Sequence, residues 1–145
     1  MSAKKGFELL KNISVYLKNT ETYDRVLSSL KFIDGGDGKA TAELTLKPEH
    51  LNKMGGLHGG LSSTIVDSVT TFALMTKDIE NIRSGVSVDL HLTFLKGAKE
   101  NDEILIQANT IRCGRTLAFL ECEIRNKKDN SLLVKGAHTK FVGQN

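Results

Sequence analysis

The segment LNKMGGLHGGLSSTIVDSVTTFALM, residues 51–75, decides how the chain is built. Its first part holds four glycines and His58, and reads as the end of a loop over about 48–58. From about residue 59 to 76 the sequence predicts an apolar helix with a single carboxylate, Asp67. At about 100° per residue, Leu61, Ile65, Val66, Val69, Phe72 and Ala73 fall on one broad arc suited to packing on a sheet. Asp67 falls on the other side, beside Ser63, Thr70, Thr71 and Leu74. The plain reading makes Asp67 a solvated surface residue. Open helix faces usually carry Lys and Glu, however. Hydroxyls around one carboxylate suit a packed polar surface, such as a subunit interface or a ligand cleft.

Working outward, residues 4–19 read as an amphipathic helix, with Phe7, Leu10, Ser14 and Leu17 on one stripe and Leu9, Ile13 and Tyr16 on the next. Residues 23–30 show no clear period. LKFID then predicts a strand, GGDG a turn and KATAELTL a second strand, in which Ala40, Ala42, Leu44 and Leu46 alternate with polar residues. After the central helix the period changes to two and stays there. In GVSVDLHLTFL, Val86, Val88, Leu90, Leu92 and Phe94 share one expected face, and Ser87, Asp89, His91 and Thr93 the other. DEILIQANTIRC, TLAFLECEIRN and LLVKGAHTKFV are three more strands, separated by turn residues at 114–115 and 127–131. No βαβ alternation occurs, which argues against a doubly wound sheet. The expected class is α+β: one domain over 1–145, with 1–20 as an N-terminal helical extension and a long antiparallel sheet wrapped around a central helix. Such a sheet leaves an edge or a face to cover, and a homo-oligomer is a natural cover.

Bulk properties narrow the function. The 145 residues can bury a single core without disulfides or metals. A net charge of +3, with Lys and Arg spread along the chain, lacks the dense basic face of a nucleic-acid binder. No apolar run is long enough for a membrane span. The N-terminus lacks the apolar region and cleavage site of a secretory signal, so a cytoplasmic or mitochondrial setting is expected. Cys113 and Cys122 form no redox or zinc pattern and are expected as free thiols. His50, His58, His91 and His138 lack helical zinc spacing, so no metal is assigned.

The glycines supply the second half of the chemistry. Gly59 and Gly60 stand at the predicted helix start, where N–H groups are unpaired and the macrodipole is positive. Such a terminus can polarise a carbonyl oxygen or hold a phosphate; a plain turn and cap is the alternative. Gly59 and Asp67 are eight residues apart, about 12 Å along a helix at ~1.5 Å per residue. One carbonyl cannot meet both from one helix. If both act on one bond, two chains paired about a two-fold axis must each contribute half.

Four segments in order, HLNKMGGLHGGLSSTIVD, GVSVDLHLTF, GRTLAF and HTK, resemble the hotdog-fold acyl-CoA thioesterases of the phenylacetate-pathway-like branch. The likeness runs from about residue 20 onward. It implies a hotdog fold, assembled as a dimer of dimers, and hydrolysis of medium- to long-chain acyl-CoA to fatty acid and CoA. No cofactor is implied, since coenzyme A arrives as part of the substrate. By position, Asp67 matches the catalytic carboxylate, Gly59 the N–H donor to the thioester carbonyl, Asn52 the orienting amide and Ser87 the serine that assists water. CoA contacts are expected along Arg112, Cys113, Gly114, Arg115, Thr116 and Leu117 and near Phe94 and Lys140, with His58, Asp89 and His138 at the cleft. The same fold as a non-catalytic acyl-CoA or lipid binder, or as an interaction protein, is the alternative from another class.

Overall fold

The computed structural model describes residues 2–143. Two α-helices, α1 (Ser2–Asn19) and α2 (Gly59–Met75), accompany six strands: β1 (Lys31–Gly36), β2 (Lys39–Thr45), β3 (Val86–Phe94), β4 (Glu103–Cys113), β5 (Leu117–Asn126) and β6 (Leu132–Phe141). The ambiguous residues 23–30 contain a short 3-10 turn, Tyr23–Leu27, which buries Leu27. All strand pairs are antiparallel, in the order β1-β2-β4-β5-β6-β3. The GGDG turn is tighter than expected. Gly35 and Gly36 still pair with β2, and only Asp37 and Gly38, both at positive φ, make the two-residue hairpin loop.

The strands form because alternate residues have an apolar partner waiting. Ala40, Ala42 and Leu44 of β2, Ile104, Ile106 and Ala108 of β4, and Ala118, Leu120, Cys122 and Ile124 of β5 are all buried. Against them lie Leu61, Ile65, Val66, Val69 and Ala73 of α2, while Leu10, Ile13 and Leu17 of α1 extend the core towards β1. Packing is tight where α2 crosses β6. A β-carbon on Gly136 would stand 2.7 Å from Val66, so only glycine lets the helix come so near the strand. That approach sets up the site, because the inward side chains of β6 just beyond Gly136 then meet the middle of α2.

Two expectations need correction. Thr70 and Leu74 do not share an open face with Asp67; both are buried, Thr70 against β6 and Leu74 in a small cluster with Ala118, Leu120 and Val142. The helix is enclosed more widely than a single apolar arc because the sheet curls past it. Nor does the alternation along β3 run through. Ser87 pairs with Lys140 but Asp89 with Thr139, so a bulge absorbs Val88. Ser87 and Leu90, rather than Val88 and Leu90, thus share the helix-facing side with Lys140 and His138. The outer edge of β3 pairs with no other strand among the described residues, and Val86, Val88, Leu90 and Phe94 on it are exposed.

Candidate active site

The loop before α2 is held by side chains that the sequence offered as site residues. Asn52 Oδ1 accepts from the N–H groups of Met54 (2.9 Å) and Gly56 (3.1 Å), closing the loop on itself. Its amide nitrogen donates to no group among the described residues. Buried His50 accepts the Lys47 N–H at Nδ1 (2.9 Å), which leaves Nε2 to donate to the Val26 carbonyl, 3.3 Å away. His58, expected near CoA, is instead the N-cap of α2: its Nδ1 accepts the Gly60 N–H at 2.8 Å. The paired glycines are thereby distinguished. Gly60 has its donor satisfied, whereas the Gly59 N–H donates to no group among the described residues. Gly59 lines a cavity of about 450 Å³ with Leu57, Ser62, Phe94, Leu95 and Val134. The Phe94 ring lies 3.5 Å from where a Gly59 β-carbon would stand.

Two turns further along α2 is a second cluster. The Asp67 side chain is half exposed, and its carboxylate accepts no hydrogen bond among the described residues. Its Oδ1 lies 3.8 Å from Nε2 of His138, whose side chain is fully buried. His138 Nε2 is also 2.8 Å from Ser87 Oγ, and Nδ1 is 2.8 Å from Thr70 Oγ1. Burial pushes the His138 pKa below its ordinary value; Lys140 acts in the same direction, and the carboxylates of Asp67 and Asp89 oppose it. Burial is the largest of these influences, and it favours the neutral ring. Lys140, one inward position beyond His138, donates to Thr71 Oγ1 at 2.7 Å. Burial lowers its pKa too, opposed by Asp67.

Two assignments change as a result. Lys140 turns into the protein beside Asp67 rather than out towards a phosphate. Phe94 does not join Arg112–Leu117: it sits with Gly59 at one end of β3, whereas Leu117 meets the other end of the sheet through Phe141, which also pairs with Val86. Arg112, Arg115, Thr116 and Leu117 are exposed, and Asp89 pairs with Thr139 on the exposed edge strand. Cys113 and Gly114 are occupied by Arg83, whose guanidinium reaches Cys113 Sγ (3.0 Å) and the Gly114 carbonyl (3.3 Å). Cys122 is a core thiol, pushed up to about 12 by burial. Sequence reasoning gave Arg83 no role. It set Thr70 and Thr71 beside Asp67 on one polar helix face, by their spacing of three and four residues, but not their partners His138 and Lys140.

A six-stranded antiparallel sheet around one helix is the hotdog fold of thioesterases. The thioesterase superfamily model matches residues 54–133, and the chain belongs to that superfamily. Within it, the chain is similar to acyl-coenzyme A thioesterase 13 from Mus musculus, at 40% identity over 83% of this chain and 85% of the relative. The corresponding Homo sapiens protein is 35% identical over 92% and 94% of the two chains. The crystal structure of zebrafish thioesterase superfamily member 2 superposes with a TM-score of 0.88 at 36% identity, covering 92% of this chain and 96% of that one.

Proposed function

We propose that this chain hydrolyses acyl-CoA thioesters of medium to long acyl length, in sites shared between two subunits. The observation that carries the reading is the pair of unspent groups on α2: the Gly59 N–H and the Asp67 carboxylate. In this reading the thioester carbonyl accepts the Gly59 N–H of one subunit, with the Asn52 amide beside it. Asp67 of the other subunit takes a proton from water, which Ser87 helps to hold. The water oxygen bonds to the carbonyl carbon, the C–S bond then breaks, and the CoA thiolate leaves to be protonated. The oxyanion is stabilised at a helix start, where such donors act most strongly. The apolar wall of Leu57, Phe94, Leu95 and Val134 suits an acyl chain, and exposed Arg112 and Arg115 suit CoA phosphates. The exposed apolar edge of β3 supports assembly through that strand, and a dimer of such dimers is the assembly the resemblance implies.

The test is release of free thiol from acyl-CoA, followed with a thiol-reactive dye. Asp67→Ala is expected to stay folded and lose about 10²–10⁴-fold in kcat, the range of general acid–base contributions. Full activity in that variant would overturn the mechanism, and no thiol release by the parent would favour a non-catalytic binder. Single-turnover hydrolysis in ¹⁸O-labelled water separates the two roles open to Asp67. A general base leaves the label in the fatty acid, whereas a nucleophile leaves it in the enzyme.

A further inference from the structure

Thr70 is buried in the middle of α2, and its single hydroxyl hydrogen has an owner. Thr70 Oγ1 lies 2.6 Å from the Val66 carbonyl, with the Asp67 carbonyl at 3.2 Å. This is the back-bond that a helical threonine makes to the preceding turn. With its hydrogen spent there, Thr70 can only accept from His138 Nδ1 at 2.8 Å. Neutral imidazole carries one N–H, so Nε2 must then be the acceptor. The Nε2 atom is the one 2.8 Å from Ser87 Oγ. We infer that Thr70 is a positioning residue: it fixes His138 as the Nδ1–H tautomer, so that Nε2 holds the Ser87 hydroxyl hydrogen and turns the Ser87 lone pairs towards the water beside Asp67. The opposite tautomer would aim an N–H at Ser87 and at Asp67 Oδ1, 3.8 Å away. Ser87 would then point its hydrogen at the water and tie up a lone pair that the water needs for attack on the thioester carbonyl carbon. The charged groups that face the ring are Asp67 on α2, Asp89 on β3 and Lys140 on β6. The assignment deepens the proposed hydrolysis and rests on it for its consequence, but not for the tautomer itself.

The test has two readouts. Two-bond ¹H–¹⁵N correlation spectra of the resting protein report which ring nitrogen of His138 carries the proton. Nδ1–H is expected in the parent and in Thr70→Ser. In Thr70→Val, which keeps the shape and loses the acceptor, the proton is expected on Nε2. Its kcat should fall by about 10²-fold, the cost typical of a misplaced reacting group, with KM little changed and Thr70→Ser recovering most of the loss. An Nε2 proton in the parent overturns the inference even if Thr70→Val does not fold. Parent-like kcat in a Thr70→Val protein whose tautomer has switched also overturns it. Failure of the hydrolysis reading itself would show separately, as full activity in Asp67→Ala.

Discussion

The two ends of the chemistry on α2 are built from different materials. At the start of the helix the active group is backbone: Gly59 presents an N–H that needs no side chain, and its neighbours are chosen to leave it alone. His58 takes up the Gly60 N–H, and Asn52 folds the preceding loop. In the middle of the helix the proposed base is a side chain, Asp67, and around it lies an ordered set of polar groups: His138, Ser87, Thr70, Lys140 and Thr71. A backbone donor is made by leaving a terminus unsatisfied. A carboxylate base is made by enclosing the groups around it while its own oxygens stay free. The difference gives the proposed split between subunits its reason. A helix has only one start, and the side chains that line its middle cannot reach it.

The sharpest way to break this comparison is subunit complementation. A β-carbon on Gly59 would make only ordinary contact with Phe94, so Gly59→Val is expected to fold while its branched methyls fill the place of the carbonyl. Alone, Gly59→Val and Asp67→Ala should each lose about 10²-fold or more in activity. Mixed equally and allowed to exchange subunits, they should recover roughly a quarter of the parent rate, because half of randomly paired dimers are mixed and each holds one intact site of two. No recovery after verified exchange would mean that both halves act within one chain.

Acidity bears on the middle of the helix through His138. His138 is held neutral below the ordinary histidine range by burial, against the pull of Asp67 and Asp89. The unfolded chain therefore takes up this proton first as pH falls below about 6.5. Stability associated with the neutral ring is full above that pH and is lost as pH falls through the folded pKa. Unfolding midpoints in urea should decline over that window, and His138→Asn should flatten the decline. The acid limb of kcat/KM should lie below the ordinary histidine value. Activity that instead falls as pH rises through the histidine range would mean that the charged ring is the working form.

Much of this division was readable in the sequence. The 3.6-residue period set Asp67 apart from the core arc, and the axial rise separated it from Gly59 before any fold was in view. Ser87 and His138 were reachable only as members of strands, because what joins them is register. That register depends on a bulge at Val88, which no glycine or proline marks, and on the close crossing of α2 over Gly136. Lys140 read as a free cation because a charge on a strand does not say whether a helix covers its face. Thr70 read as surface for a related reason. Its burial comes from β6 packing against a flank of the helix that the apolar arc does not include.

The smallest expected effect concerns Ser62, at the backbone end. Its hydroxyl is buried, has no hydrogen-bond partner among the described residues and lines the cavity beside Gly59. An unpaired buried hydroxyl contributes nothing to stability through hydrogen bonding, and alanine has the better helix propensity. Ser62→Ala should therefore change stability by no more than about 1 kcal/mol, towards neutral or stabilising, measured by urea unfolding. A loss of about 2 kcal/mol or more would show that the hydroxyl has a partner in the assembled protein. In that case the start of the helix, like its middle, would depend on an ordered polar contact, and the contrast between a backbone end and a side-chain end would narrow.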